Sequence, residues 1–268
     1  MKKFFAFFVT LLVCCTACIA LGACGEVIHV DEIHIVAPAS TEIRAGETFT
    51  LEYTTLPEEA AEKIKVNWKI SDSRRLSYAD GEFNALTCGT VKVTASVKGS
   101  EATDEIELKI IEPEFFSRYV GRGYVVVHPT NWIKSTQGTI DVWTASNGTT
   151  NMNVTTEQPL NNAYFSSPAS SFQAAMKTTY ELLGYTVDFV QPVTVTKKKY
   201  LGVERVRVDY VYSLTIENTT TTLYQTQLIV NNADKNLSCV LTVTFREENF
   251  DDKAQQLQET IFSQFLPA

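Results

Sequence analysis

The stretch RVRVDYVYSL, residues 205–214, decides how the larger part of this chain folds. Val206, Val208, Tyr210, Tyr212 and Leu214 alternate with Arg205, Arg207 and Asp209, and strict alternation is the pattern of a two-faced β-strand. One face is apolar enough to bury. The other carries a charged row that strand packing does not require. Similar runs surround it. Gly123 to Pro129 is a strand stopped by proline, with Asn131 and Trp132 in the turn that follows. Ile140 to Thr144 and Asn151 to Thr155 are strands separated by the turn pair Asn147-Gly148. Val187, Phe189 and Val193 to Thr196 precede a charged turn at Lys197, Lys198 and Lys199. Downstream, Thr222 to Val230 and Leu237 to Phe245 flank a polar turn at 231–236.

Two segments change period. From Ser166 to Gly184, serine before Pro168 and glycine after Leu183 are start and stop signals, and Phe172, Met176, Tyr180 and Leu183 fall on one helical stripe. Over about Asp252 to Phe265, the residues Ala254, Leu257, Ile261 and Phe265 form a second stripe. These patterns predict an α+β domain over 114–268, an antiparallel sheet packed against helices on its apolar face. Its landmarks are Gly123 to Pro129 with Trp132, NMNV (151–154), Phe172 to Gly184, Gly202 to Tyr210, YQTQ (224–227), Leu237 to Thr244 and Phe250 to Phe265. In that order they resemble the PsbP-like superfamily, which includes DcrB-type bacterial lipoproteins and a eukaryotic nuclear Ran-binding protein. The resemblance implies a mostly non-enzymatic family and carries no catalytic residue onto this chain.

Upstream, residues 30–111 are short alternating runs divided by turns: Ile33 and Ile35, then Phe49 to Tyr53, Val66 to Ile70, Leu76 and Tyr78, Phe83 and Ala85, Val91 to Val97, and Ile106 to Ile110. About seven short strands at regular spacing predict an all-β sandwich, with Trp68 filling much of its core. The runs AGETFTL (45–51), LP (56–57), WKISDS (68–73), DGEFNAL (80–86) and GTVKVTA (89–95) resemble the group 2 bacterial immunoglobulin-like domain. Cys88 stands where that family more often has a small residue such as alanine. The resemblance implies a surface spacer or adhesive module without catalysis.

The chain opens on MKKFFAFFVTLLVCCTACIALGAC (1–24), two lysines followed by a long apolar run and small residues, which is a targeting element rather than part of the fold. LGAC (21–24) resembles the bacterial lipobox. It implies a signal peptide over 1–23, a lipidated Cys24 opening a short linker of 24–29, and a protein held outside the cytoplasmic membrane by that anchor alone. An ordinary signal peptide or an uncleaved anchor helix gives the same side of the membrane. Without Lys2 and Lys3 the formal net charge of −8 becomes −10, and an acidic surface argues against nucleic acid as a partner. Of six cysteines, Cys14, Cys15 and Cys18 lie in the leader, leaving Cys88 and Cys239 in apolar strand registers as buried free thiols, with a disulfide between them as the minority reading.

No nucleophile, zincin, phosphate-loop or dinucleotide motif is present, so no catalytic residue, metal or cofactor is assigned. His29 and His34 sit at odd strand spacing on opposite faces, and His128 precedes a strand-ending proline. The Ser/Thr/Asn-rich stretches at 146–156 and 218–222 offer hydrogen bonds to a sugar or peptide, or reflect β-propensity on a wet face. Two functions compete for a non-enzymatic lipoprotein. In the first, the module binds an unknown envelope protein or polymer through the charged row of Arg205, Arg207 and Asp209, with Trp143 and Tyr224 as aromatic anchors on the same outward face. In the second, it is a small-ligand-binding or assembly factor with a cavity between sheet and helices. The anchor yields the first test: mass spectrometry of membrane-extracted protein finds a mature chain that begins at a lipidated Cys24, and Cys24→Ser loses membrane partition.

Overall fold

The computed structural model describes residues 29–268; the leader and the proposed lipid site at Cys24 lie outside the described residues. The chain is mostly β and divides into two compact units, each discontinuous in sequence. One unit comprises the described residues up to Ala39, Leu51–Lys69 and Lys92–Ile106; the other comprises Ser40–Thr50, Ile70–Val91 and Glu107–Ala268.

In the first unit, strands Glu32–Ile35 and Tyr53–Leu56 pair antiparallel, and alternation turns Ile33 inward. Its core is built from Val30, Ile33, Ala60, Val66, Ala95 and Val97. Trp68, expected to fill that core, is only half-buried. It packs against the rim, edge-on to Tyr53 at 6.3 Å. Small aliphatic side chains close the space instead, because strand Val66–Ile70 is an edge strand and its indole covers the core from the side.

The second unit contains a small sheet of Thr48–Phe49, Glu82–Ala85 and Leu76–Ala79, where Phe49 and Phe83 stack at 5.4 Å. Asp80 and Gly81 take φ of 54° and 90° between the last two strands, the left-handed pair that a two-residue hairpin requires. The body of the unit is an eight-stranded antiparallel sheet. Its order is Ile133–Gln137, Ile140–Thr144, Thr150–Glu157, Leu237–Arg246, Thr219–Asn232 and Val203–Ile216. The far side of Val203–Ile216 is shared by Thr186–Phe189 and Thr194–Tyr200. Lys197, Lys198 and Lys199, expected as a turn, lie within strand Thr194–Tyr200, and the chain reverses at Leu201 and Gly202. Lysines on such an edge strand discourage further strand pairing. Strands Phe116–Val120, Ile133–Gln137 and Leu266–Pro267 are not evident from the sequence; Ile133–Gln137 is exposed throughout, so it has no buried face to leave an alternating trace.

Helix α1 is Ala169–Leu182 and α2 is Asp252–Ser263. Gly184 ends α1 at φ 84°, with the Gly184 and Tyr185 N–H groups donating to the Glu181 and Tyr180 carbonyls at 3.0 Å each. Asp251 caps α2, its carboxylate accepting from the Ala254 N–H at 2.9 Å. The helices cover opposite faces of the sheet, which corrects the expectation of a single apolar face. Phe172 and Met176 of α1 pack on Val206, Val208, Tyr210, Tyr212, Ile229 and Val240. Ala254, Ile261 and Phe262 of α2 pack on Leu228, Val230, Leu241 and Val243. Strand Leu237–Arg246 is buried along nearly its whole length, and a strand buried on both sides needs a cover on each. Leu183, expected on the α1 stripe, projects into solvent.

Cys88 and Cys239 are both free; Cys239 is buried, whereas Cys88 is half-buried, with its Sγ 3.7 Å from Gln264 Oε1. Burial pushes each thiol up to about 11, so both stay protonated well above neutrality. Native-state alkylation followed by mass spectrometry is therefore slow at about pH 8, with Cys88 labelled before Cys239, and it accelerates only as the medium approaches the raised values.

Candidate functional site

Arg205 of the charged row faces protein, whereas the Arg207 and Asp209 side chains stay 31% and 33% exposed, and the three line an open recess of about 410 Å³. Arg205 is only 7% exposed; its guanidinium donates to the carbonyls of Phe262 and Phe265 at 2.9 and 2.8 Å and lies over the Tyr200 ring at 4.3 Å. It therefore caps the C-terminal end of α2, where unpaired carbonyls and the helix dipole favour a cation. Burial lowers its pKa to about 10, which still leaves it charged at neutral pH. Arg207 donates to both oxygens of Asp209, at 2.9 and 3.1 Å, and to Glu259 of α2. Asp209 also accepts from the Thr226 hydroxyl at 2.7 Å. Trp143 is fully buried (0%), 5.2 Å from the Tyr119 ring and 5.5 Å from His128, and it belongs to the core beneath α2. Tyr224 is half-buried and stacks on Phe250 at 4.3 Å. Trp143 and Arg205 are thus not available to a partner, and the outward aromatic face expected from the sequence does not form. All five residues do share one face of the sheet, as alternation and register require, but α2 and its neighbours cover much of it.

The opposite face holds a different arrangement. Between α1 and the strands Val203–Ile216, Thr219–Asn232, Leu237–Arg246 and Thr150–Glu157 lies a groove of about 360 Å³. Gln225 and Gln227 occupy inward positions of strand Thr219–Asn232, between Leu223 and Ile229, where alternation calls for apolar residues. Each is held from the neighbouring strand. The Tyr210 hydroxyl donates to Gln227 Oε1 and the Tyr212 hydroxyl to Gln225 Oε1, both at 2.9 Å. Tyr180 of α1 completes the relay, its hydroxyl 3.1 Å from that of Tyr212. The carboxamide oxygens are thereby engaged, while the Nε2 groups have no partner among the described residues. Neither nitrogen is among the buried unpaired side-chain atoms of the described residues, so both are open to the groove and free to donate to an occupant. Thr155 and Thr242 add hydroxyls, and Asn153 adds a second type of amide. At one end Tyr164 donates to Glu157 Oε1 at 2.6 Å and its ring stacks on Phe172 at 6.2 Å. Burial, reinforced by neighbouring groups, raises the pKa values of Tyr164, Tyr210 and Tyr212, so all three remain neutral donors. Two glutamines at inward positions were the sequence signal for this site.

Among the described residues no group of three His, Cys, Asp or Glu side chains is placed to hold a metal ion. His29 pairs with Asp31 at 3.1 Å and His34 with Glu32 at 3.0 Å, all on the exposed surface.

No family model matches the chain, and no curated protein matches it. Solved structures similar to it include cyanobacterial PsbP (CyanoP) from Synechocystis sp. PCC 6803, at 14% identity and a TM-score of 0.45, covering 58% of this chain and 94% of that one. The Ran-binding protein Mog1p of Saccharomyces cerevisiae is similar at 12% identity and a TM-score of 0.34, over 57% of this chain and 96% of that one. A Pseudomonas aeruginosa protein of unknown function, PA94, is similar at 13% identity and a TM-score of 0.32, over 57% and 97% of the two chains.

The position of Trp143 has a direct consequence for mutagenesis. Trp143→Ala empties a packed core site and lowers stability by about 3–5 kcal/mol, measured by urea denaturation. Unchanged stability would mean that the indole is a surface group.

Proposed function

We propose that this chain is a non-enzymatic binding protein of the bacterial envelope that holds a small ligand in the groove under α1. The reading gives residues 24–29 the role of a lipid-anchored linker after a signal peptide, and 30–111 that of an immunoglobulin-like spacer. It assigns 114–268 to a PsbP-like α+β domain that carries the groove. The observation behind the ligand role is the pair of tyrosine-anchored glutamines that line a concave space with their amide nitrogens unpaired among the described residues. Polar groups fixed in place by neighbours, in a recess lined also by Phe172, Met176, Ile229 and Val240, are what a small-molecule site requires. The competing reading, a surface that grips an envelope protein or polymer through the 205–209 row, loses Trp143 and Arg205 to the interior.

Ala175 is an exposed α1 residue on the groove wall, so Ala175→Trp places an indole at the mouth without disturbing the core. Full chain and variant are incubated with cell-envelope extract and the retained material is compared by mass spectrometry. The variant loses what the wild type retains; equal retention by both would remove the groove from the function.

A further inference from the structure

We propose that the groove binds a neutral saccharide about two sugar rings long. The assignment rests on the groove being the ligand site and adds the class of ligand. Charge comes first. Among the described residues no lysine, arginine or histidine lines the groove, and the one carboxylate that does, Glu157, already accepts from Tyr164. An anionic or cationic ligand would exchange water for a site with no free counter-charge, a costly transfer. A ligand of uncharged polar groups carries no such penalty.

Spacing comes second. Gln227 lies directly opposite Thr242, and Thr242 directly opposite Asn153, so three polar side chains form a row across three adjacent strands. At the inter-strand spacing of about 4.8 Å the row spans roughly 10 Å, the length of a disaccharide. Gln225 stands two residues along from Gln227 on the same face, about 7 Å away. The result is a grid of amides and a hydroxyl at sugar-ring spacing, matched to hydroxyls that both donate and accept. The volume of about 360 Å³ falls in the range of small-molecule sites, roughly 300–1,000 Å³. Tyr164, stacked against Phe172, offers a ring for the apolar C–H face of a pyranose.

A neutral peptide also carries carbonyls and amides, but extended peptides are usually taken up by pairing with a free strand edge. The floor of this groove consists of Thr219–Asn232, Leu237–Arg246 and Thr150–Glu157, all interior strands of the sheet whose backbone groups are already paired. Only side chains face the ligand, which favours the saccharide.

The test uses the full chain, with nuclear magnetic resonance following the side-chain amide signals of Gln225, Gln227 and Asn153. Four probes are titrated: cellobiose, N,N′-diacetylchitobiose, digalacturonic acid and capped trialanine. At least one neutral disaccharide shifts the three amides saturably, while the acidic one binds at least about tenfold more weakly. Gln227→Glu keeps an acceptor for the Tyr210 hydroxyl but removes the amide donors, and it weakens the neutral disaccharide by at least about tenfold. Failure of both neutral disaccharides to move these signals, or equal binding by wild type and Gln227→Glu, overturns the saccharide assignment. If capped trialanine or digalacturonic acid moves them instead, the groove remains the ligand site and only the class is wrong. If no probe moves them and Ala175→Trp retains extract material as well as the wild type does, both readings fall.

Discussion

The antiparallel pairing of Val203–Ile216 with Thr219–Asn232 is the constraint on which the rest of the second unit depends. Its register, with Arg205 opposite Val230 and Ile216 opposite Thr219, assigns every side chain of both strands to one face or the other. A slip of one residue would exchange the faces entirely. Both faces are then covered, one by α1 and the other by α2. Where these covers exclude water, each polar group on the sheet must find a partner within the protein.

The two faces meet that demand in different ways. Beneath α2 the answer is ionic. Arg205 is held at the negative end of a helix, and Arg207 is shared between Asp209 and Glu259. These contacts tie α2 to the sheet, although Arg205 Nε stays buried without a partner among the described residues and the Arg207 and Asp209 side chains remain 31% and 33% exposed. Beneath α1 the answer is neutral and incomplete. Tyrosine hydroxyls take up the carboxamide oxygens of Gln225 and Gln227 but leave the nitrogens without partners among the described residues. Those nitrogens open onto the groove, where water or a ligand can accept from them. The ligand reading rests on the neutral donors that open to the groove rather than on the charges visible in the sequence.

Most of the strands were legible because burial on one side imposes a period of two, as at Val91 to Val97 and Glu82 to Ala85. Strands without a buried face, such as Ile133–Gln137, left no such trace. Both helices were legible from their 3.6-residue stripes, and the end of α1 from the left-handed glycine at 184. The candidate site was only partly legible. Arg205, Arg207 and Asp209 do lie on one face, but which face meets water is not encoded in alternation. Trp68 and Trp143 exchanged their expected roles for the same reason, one moving to a rim and the other to a core.

By itself, then, the sequence determined which residues share a strand face, where most elements begin and end, and that Cys239 lies in an apolar register, whereas Cys88, expected in one, sits half-buried in the bend before strand Gly89–Val97. Those properties follow from local geometry, since side-chain direction repeats every two residues in a strand and every 3.6 in a helix. Only the tertiary structure decided that α1 and α2 lie on opposite faces, that Arg205 caps the end of α2, and that Gln225 and Gln227 open onto a groove. These outcomes depend on contacts between segments far apart in the chain, such as Arg205 with Phe262, Tyr180 with Tyr212, and Asn153 with Thr242. A period read along a single strand records that a face is covered, but not by what.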